Sequence, residues 1–521
     1  LDYEQMIGLD PQNPVGYSHR SEALLDAGRI DEAFVSIEAS LLLDPTNSDN
    51  YVRRGILHLE KGLYAEADED FKEALNLWPG NAWAYNNLGN SLFEQGRYAE
   101  SIPVFAKALE IDPEYGIAQF NRGLASFRIG DYAPALADLD GAVQLLPGDP
   151  AAIYMRGRAH YYLGQEAEAI ADFGRTLQLD PDDAEAYVAR ALVHHDRADF
   201  RAALADYNRA LAVAPGLVWA MVHKGRVLMD MGHHAEAAAV LTSAVAAAPD
   251  YDIAHYRLGN AYFLLGDYEK AMESYERAVT LDPEDSVFLL QRARTLDALA
   301  REDAALADLS NAIEIDPDYT DAFVYRGQIL AEKKLFGQAL ADFDRAVTLA
   351  PKNPWPLNNR GLALADSGDY SAAITDYSAA IERDAGYFPA YHNRGLAYHE
   401  LRQLAEALAD FNQAAKLQPD DADVYFARGD VHYDMGEYEL AVNDYSQGLR
   451  IDKNAAWALW SRGVSFAQLS QSDAAQADID AALALLAPGE RERMVLTTCS
   501  ELIGQGNIAL SLRYCAKTVS Q

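Results

Sequence analysis

An all-helical solenoid is the fold class this sequence predicts, and three observations predict it. One pattern recurs every 34 residues from Pro14 to Gly489, fourteen times, without insertion or deletion. Within each copy apolar residues return at helical spacing in two stretches, as Leu396, Tyr398 and Leu401 and then Leu404, Leu408 and Phe411 do. Helix breakers stand at fixed places between the stretches. A fixed period of this length marks stacked repeats rather than several globular domains, even in a chain of 521 residues.

Numbering the places of each copy from Pro14 shows what every element is for. Place eight is Gly in eleven copies, with Ser21, Ala191 and Ala293 in the others. Place twenty is Ala in thirteen, with Ser101 the exception, and place twenty-seven is Ala in eleven, with Ser40, Thr176 and Gly448 replacing it. Large side chains are therefore excluded at three places, as close helix packing requires. Gly holds place fifteen in nine copies, where a left-handed C-cap closes the first helix. Pro holds place thirty-two in eleven, often after Asp as in Asp112-Pro113, and stops the second helix.

This pattern resembles the tetratricopeptide repeat family, a helix-turn-helix of 34 residues with aromatics at places four and twenty-four and small residues at eight, twenty and twenty-seven. Tyr85, Gly89, Ser101, Phe105, Ala108 and Pro113 display it in one copy. The resemblance implies a right-handed α-solenoid superhelix of about 14–15 repeats, continuous from Pro14 to Gly489. Residues 1–13 match the end of a truncated preceding repeat. Residues 490–521 match a degenerate fifteenth, with Leu496, Gly504, Ala509 and Ala516 in phase and Thr497 and Arg513 departing. A decayed last copy suits a cap, whose outer face meets water. The chain starts at Leu1, inside a copy, so the natural N-terminus is expected upstream.

Place seven is Arg in eleven copies and Lys224 in one, and place twenty-three is Asp in ten. The two copies lacking the basic residue, Leu88 with Val104 and Leu258 with Ser274, lack the acid too. The covariation lies within a copy, so it predicts ion pairs joining the two helices of one repeat, Arg360 to Asp376, Arg394 to Asp410 and Arg428 to Asp444 among them. The pairs are expected to be shielded, because an unpartnered buried charge costs about 3–5 kcal/mol. A basic spine for phosphates would not need the matched Asp.

No phosphate loop, GxGxxG turn, nucleophile elbow or paired cysteine cluster is present, so no catalytic residue and no cofactor site is predicted. His194-His195 and His233-His234 are adjacent and diverge on a helix, with no HExxH or Cys partner, so no metal is expected either. His58, His160, His194 and His432 share place eleven and read as core or edge residues. A net charge of −37 repels nucleic acid and anionic membranes. No long apolar run signals membrane insertion. Cys499 and Cys515 are the only cysteines, which fits a reducing compartment and slightly favours the cytoplasm.

In the family the first helices line a concave wall, and ligand contacts come from places two, five, nine, twelve and thirteen. Carried over, this makes place thirteen a carboxylate stripe: Asp26, Glu60, Glu94, Asp196, Asp230, Glu332, Asp366, Glu400 and Asp434. Exposed aromatic platforms are expected between the acids at Phe93, Phe120, Phe127, Tyr154, Tyr161 and Tyr162, at Tyr256 and Phe263, and at Phe426, Tyr433 and Trp460. Trp83, Trp219 and Trp355 all hold place two at intervals of 136 residues and are expected to be partly exposed at the groove mouth. The clamp by which some family members hold a chaperone's C-terminal peptide is not matched: Asn90 and Asn121 supply two elements, but Asn86, Ala151 and Met155 replace the rest. Asn87, Asn121, Asn359 and Asn393 at place six resemble, in two separate pairs, the asparagine ladder of sugar-transferase relatives.

The function expected is a non-catalytic protein–protein interaction scaffold that binds a basic protein or extended peptide with apolar anchors. The alternatives are a substrate-recruiting arm of a larger enzyme such as a glycosyltransferase-type protein, and a structural assembly subunit. The sequence sets no oligomeric state.

Overall fold

The computed structural model describes residues 2–487 and Gly489. The expected fifteenth copy, with Cys499 and Cys515, lies outside them. Twenty-nine α-helices and no strand occur among the described residues. By their contacts they fall into two units, Leu1–Leu265 and Gly266–Gln521. The first unit opens with Asp2–Leu9, followed by helix pairs from Pro14–Asp26 with Ile30–Leu43 through Val218–Asp230 with His234–Ala247, and then Asp252–Leu264. The second begins with Tyr268–Leu281 and continues in pairs from Ser286–Ala298 with Glu302–Ile315 to Ala456–Gln468 with Ser472–Leu485. First helices are 13 residues long and second helices 14 throughout the pairs.

Local chemistry sets these boundaries. Asn13, Asn81, Asp183 and Asn353 each accept a hydrogen bond from an N-terminal backbone amide of the following first helix. At the turn, place fifteen takes a positive φ in every copy, whether it is Gly or not. The five non-glycine residues with positive φ, Ala198, Ala300, Lys334, Arg402 and Ser470 at 55–62°, are the five that replace Gly there. The repeat imposes the left-handed conformation and the residue bears its cost.

Place eight is small because the side chain of place twenty-four, a ring in most repeats, lies across it. A Cβ on Gly395 would sit 2.8 Å from Cε1 of Phe411, and one on Gly55 would sit 2.5 Å from Cε1 of Phe71. Phe71, Phe173, Tyr377, Phe411 and Tyr445 are fully buried as a result, one ring per repeat. Alanines at places twenty and twenty-seven are likewise fully covered, as Ala407 and Ala414 are.

The ten Arg–Asp pairs are all formed, at 2.5–2.7 Å, and no carboxylate among them is more than 13% exposed. In Arg394 the Nε and Nη2 donate to the two oxygens of Asp410 at 2.7 and 2.8 Å, a bidentate fork. Six of the ten arginines also do something the sequence did not announce. Their Nη1 reaches back to place twenty-five of the preceding repeat: Arg394 to Ser378 at 2.9 Å, Arg428 to Asn412 at 2.8 Å, Arg462 to Ser446 at 3.0 Å, Arg156 to Asp140 at 3.1 Å, with Arg326 to Ser310 and Arg360 to Asp344 alike. Several guanidinium groups also lie over the place-four ring, as Arg428 does over Tyr425 at 5.4 Å. Three of the four histidines at place eleven join the same carboxylates, His58 to Asp70 at 2.9 Å and, more loosely, His160 to Asp172 at 3.8 Å and His432 to Asp444 at 3.7 Å, while His194 turns to Asp199 at 3.8 Å.

Two predictions follow from these packing rules. Asp410→Ala leaves a half-buried guanidinium unpaired and should lower stability in urea unfolding by about 3–5 kcal/mol, whereas the double change Arg394→Leu with Asp410→Val, the residue types at Leu88 and Val104, should cost clearly less; equal losses would place the pair in solvent. At the turn, Lys334→Gly should raise stability by about 1 kcal/mol and Gly368→Ala should lower it by a similar amount. A Lys334→Gly protein no more stable than the parent would remove strain from the account of that turn.

Candidate protein-interaction surface

Within each unit every first helix touches the next first helix, while no two second helices approach comparably. First helices therefore sit on the inner side of each unit's curve. All nine acids of place thirteen, at the C-terminal ends of these helices, are exposed. Their environments differ. Tyr161 donates to Asp196 at 2.6 Å, His195 Nε2 meets Asp230 at 2.6 Å, and His399 Nε2 meets Asp434 at 2.8 Å, with Arg402 also on Asp434. Each is a rung from place twelve of one repeat to place thirteen of the next, 35 residues on. The signal lay in the sequence as a polar place-twelve residue followed 35 later by an acid, and it went unread. Asp366 and Glu400, among the described residues, carry no ion pair.

The aromatic residues divide. Phe93 lines a cavity of about 510 Å³ with Glu60, Glu94, Asn90 and Asn121. Tyr154, Tyr161, Tyr162 and Trp219 line one of about 310 Å³ with Arg158. Tyr433, Asp434 and Trp460 line one of about 230 Å³. Tyr256 and Phe263 are partly exposed on the helix Asp252–Leu264, and Phe120 packs half-buried beside Val143 and Ile153.

Two expected platforms are corrected. Phe426 is 1% exposed because place twenty-seven of its repeat is Gly448, and the ring occupies the space an alanine methyl would take. Phe127 is 8% exposed, enclosed by Tyr132, Tyr162 and the Arg158 guanidinium at 4.8–5.4 Å. Both are core residues. Trp83, Trp219 and Trp355 are half-buried: the Arg53 guanidinium lies over Trp83 at 5.5 Å, and Trp355 meets Tyr325 edge-on at 5.5 Å.

The asparagines of place six are engaged internally. Asn87 and Asn359 donate to the carbonyls of Trp83 and Trp355 one turn back, at 2.8 Å. Asn121 and Asn393 donate to Asn86 and Asn358 of the preceding repeat at 3.0 Å. Gln328 donates to Asn359 at 2.7 Å. Asn121, Asn359 and Asn393 thus tie repeat to repeat.

Burial shifts several groups along this surface. Tyr161 is pushed up to about 12 by burial and by its bond to Asp196. His223, stacked on Tyr207 at 6.4 Å and edge-on to Trp219 at 6.2 Å, is lowered to about 4 by burial and by Arg226 and Arg257. A histidine that resists protonation when folded binds fewer protons than the unfolded chain between about pH 4 and pH 6.5. Its contribution is thus present above pH 6.5 and is lost as pH falls toward 4, at about 1.4 kcal/mol per unit. His223→Phe should flatten the acid limb of stability between pH 6.5 and 4, read by thermal melts; an unchanged limb would show that His223 titrates normally.

Comparison with known proteins agrees with this architecture. Models of the tetratricopeptide repeat match residues 86–150, 223–286 and 290–354, and another matches 46–114. A further one, described as TPR repeat, matches 157–197, 361–401, 397–436 and 429–470. The chain belongs to the tetratricopeptide repeat family. No curated protein sequence matches it at a significant level. Among solved structures it is similar to the APC/C hetero-tetramer Cut9–Hcn1, with 16% identity over 80% of this chain and 96% of that one and a TM-score of 0.42. It is similar to yeast Tom70, with 17% identity over 71% and 92% and a TM-score of 0.40, and to Naa15/Naa10 bound to HypK-THB, with 17% identity over 96% of each and a TM-score of 0.41. Membership of the family supports a protein-interaction scaffold, and the family is in general non-catalytic. Among the described residues no helix is long and apolar enough to cross a membrane, and no three His, Cys, Asp or Glu side chains gather as a metal site would need.

Proposed function

We propose that this chain is a non-catalytic scaffold that holds a basic, extended protein segment along its first helices. The observation that carries the reading is the row of nine place-thirteen acids, every one exposed at the same end of its helix. Carboxylates repeated at one spacing suit a partner that presents repeated cations, and steer it by long-range attraction. Half-buried Phe93, Tyr433 and Trp460 and exposed Tyr162 stand beside the row and supply rigid apolar contacts of the kind that anchor interfaces.

The test uses arrays of peptides matched in apolar content and differing in charge. Basic peptides should bind most tightly, and their affinity should fall as salt rises from 50 to 300 mM, conditions that shorten the reach of exposed charges. Asp366→Asn with Glu400→Gln should weaken a bound basic peptide by about tenfold, roughly 1.4 kcal/mol, without changing the melting temperature appreciably. Equal binding of acidic and basic peptides, or indifference to salt, would sink the proposal.

A further inference from the structure

In the second unit four helices enclose a cavity of about 230 Å³. Asp430 and Tyr433 come from Ala422–Asp434, Trp460, Ser461 and Val464 from Ala456–Gln468, His399 from Phe388–Glu400, and Tyr445 from Tyr438–Ile451. The volume is below the roughly 300–1,000 Å³ of small-molecule sites and suits a single side chain. Its walls are aromatic and its fixed charges are carboxylates. We propose that this cavity takes the ammonium end of one lysine side chain of the bound partner, held by Asp430 with the rings of Tyr433, Tyr445 and Trp460 around the stem.

The two carboxylates are not equivalent. Asp434 is already balanced by His399 and Arg402. Asp430 has no ion pair among the described residues; it accepts one hydrogen bond, from the Tyr445 hydroxyl to Oδ1 at 2.6 Å. A carboxylate set among rings without a counter-cation is costly, and burial pushes Asp430 up to about 6. An arriving ammonium relieves that cost and also gains from the faces of the rings. Geometry favours lysine over arginine. The Tyr445 hydroxyl occupies Oδ1, so only one oxygen is left for a cation, which suits a point charge better than a planar fork that seeks both oxygens.

The inference rests on the groove reading above, and the two can fail separately. The full chain is titrated with Nα-acetyl-lysine methylamide and with its norleucine and arginine counterparts, followed by saturation-transfer NMR. The lysine probe should bind best, and Asp430→Asn, which preserves shape and the Tyr445 bond, should weaken it at least tenfold with the melting temperature unchanged. Equal binding of norleucine or arginine, or lysine binding that survives Asp430→Asn, overturns the lysine pocket. Basic peptides that bind parent and Asp430→Asn equally would overturn the pocket and leave the groove standing. Lysine-probe binding with no peptide preference for basic sequences would do the reverse.

Discussion

The guanidinium of place seven is the contact on which the stacking depends. It is one planar group with donors on three edges, and six repeats use all three together, as the one with Arg394 does. Two donors close its own repeat through the Asp sixteen residues on, and the third reaches the second helix of the repeat before, sixteen residues back. A lysine could not do this, because a point charge does not fix the plane. The carboxylate is the more buried partner, and the guanidinium lies over the aromatic ring of place four. The same interaction sets both the helix-to-helix geometry inside a repeat and the register between neighbours.

Much of this was legible because a repeat supplies its own comparison set. Fourteen copies made the small places, the breakers and the Arg–Asp covariation readable without any second sequence. The positive φ of Ala198 or Lys334 could be inferred only from the place they hold, since neither residue asks for it. What stayed hidden was the chemistry running between copies. Reading down one place reveals what is shared, whereas Tyr161 to Asp196 and His195 to Asp230 run from place twelve of one copy to place thirteen of the next, so neither place shows the pairing by itself.

The misread aromatics have the same origin. Phe426 stands at a place expected to face a ligand, and its burial is decided by Gly448, a substitution at a place that is otherwise alanine in most copies. Phe127 is hidden by Tyr162 and Arg158, which belong to the following repeat. Exposure in a solenoid is thus a property of neighbouring repeats, and a single repeat's pattern underdetermines it. The cavity at Asp430 was missed likewise, because Asp430 holds a place where other copies carry residues as varied as Asn90, Arg158 and Leu192.

Charge brings the two levels together. An excess of 37 negative charges works against compaction, and like charges in a row within about a Debye length repel one another. The protein quenches part of that repulsion itself. Asp196 and Asp230 are held by donors from the preceding repeat, and Asp434 by His399 and Arg402, so these acids also serve as struts. Asp366 and Glu400, on consecutive first helices, receive no such help among the described residues. Asp366 and Glu400 thus keep carboxylates that no ion pair among the described residues balances, and uncompensated like charge raises the free energy of the chain. The rungs between repeats and the gaps among them are two outcomes of one pairing rule, applied copy by copy.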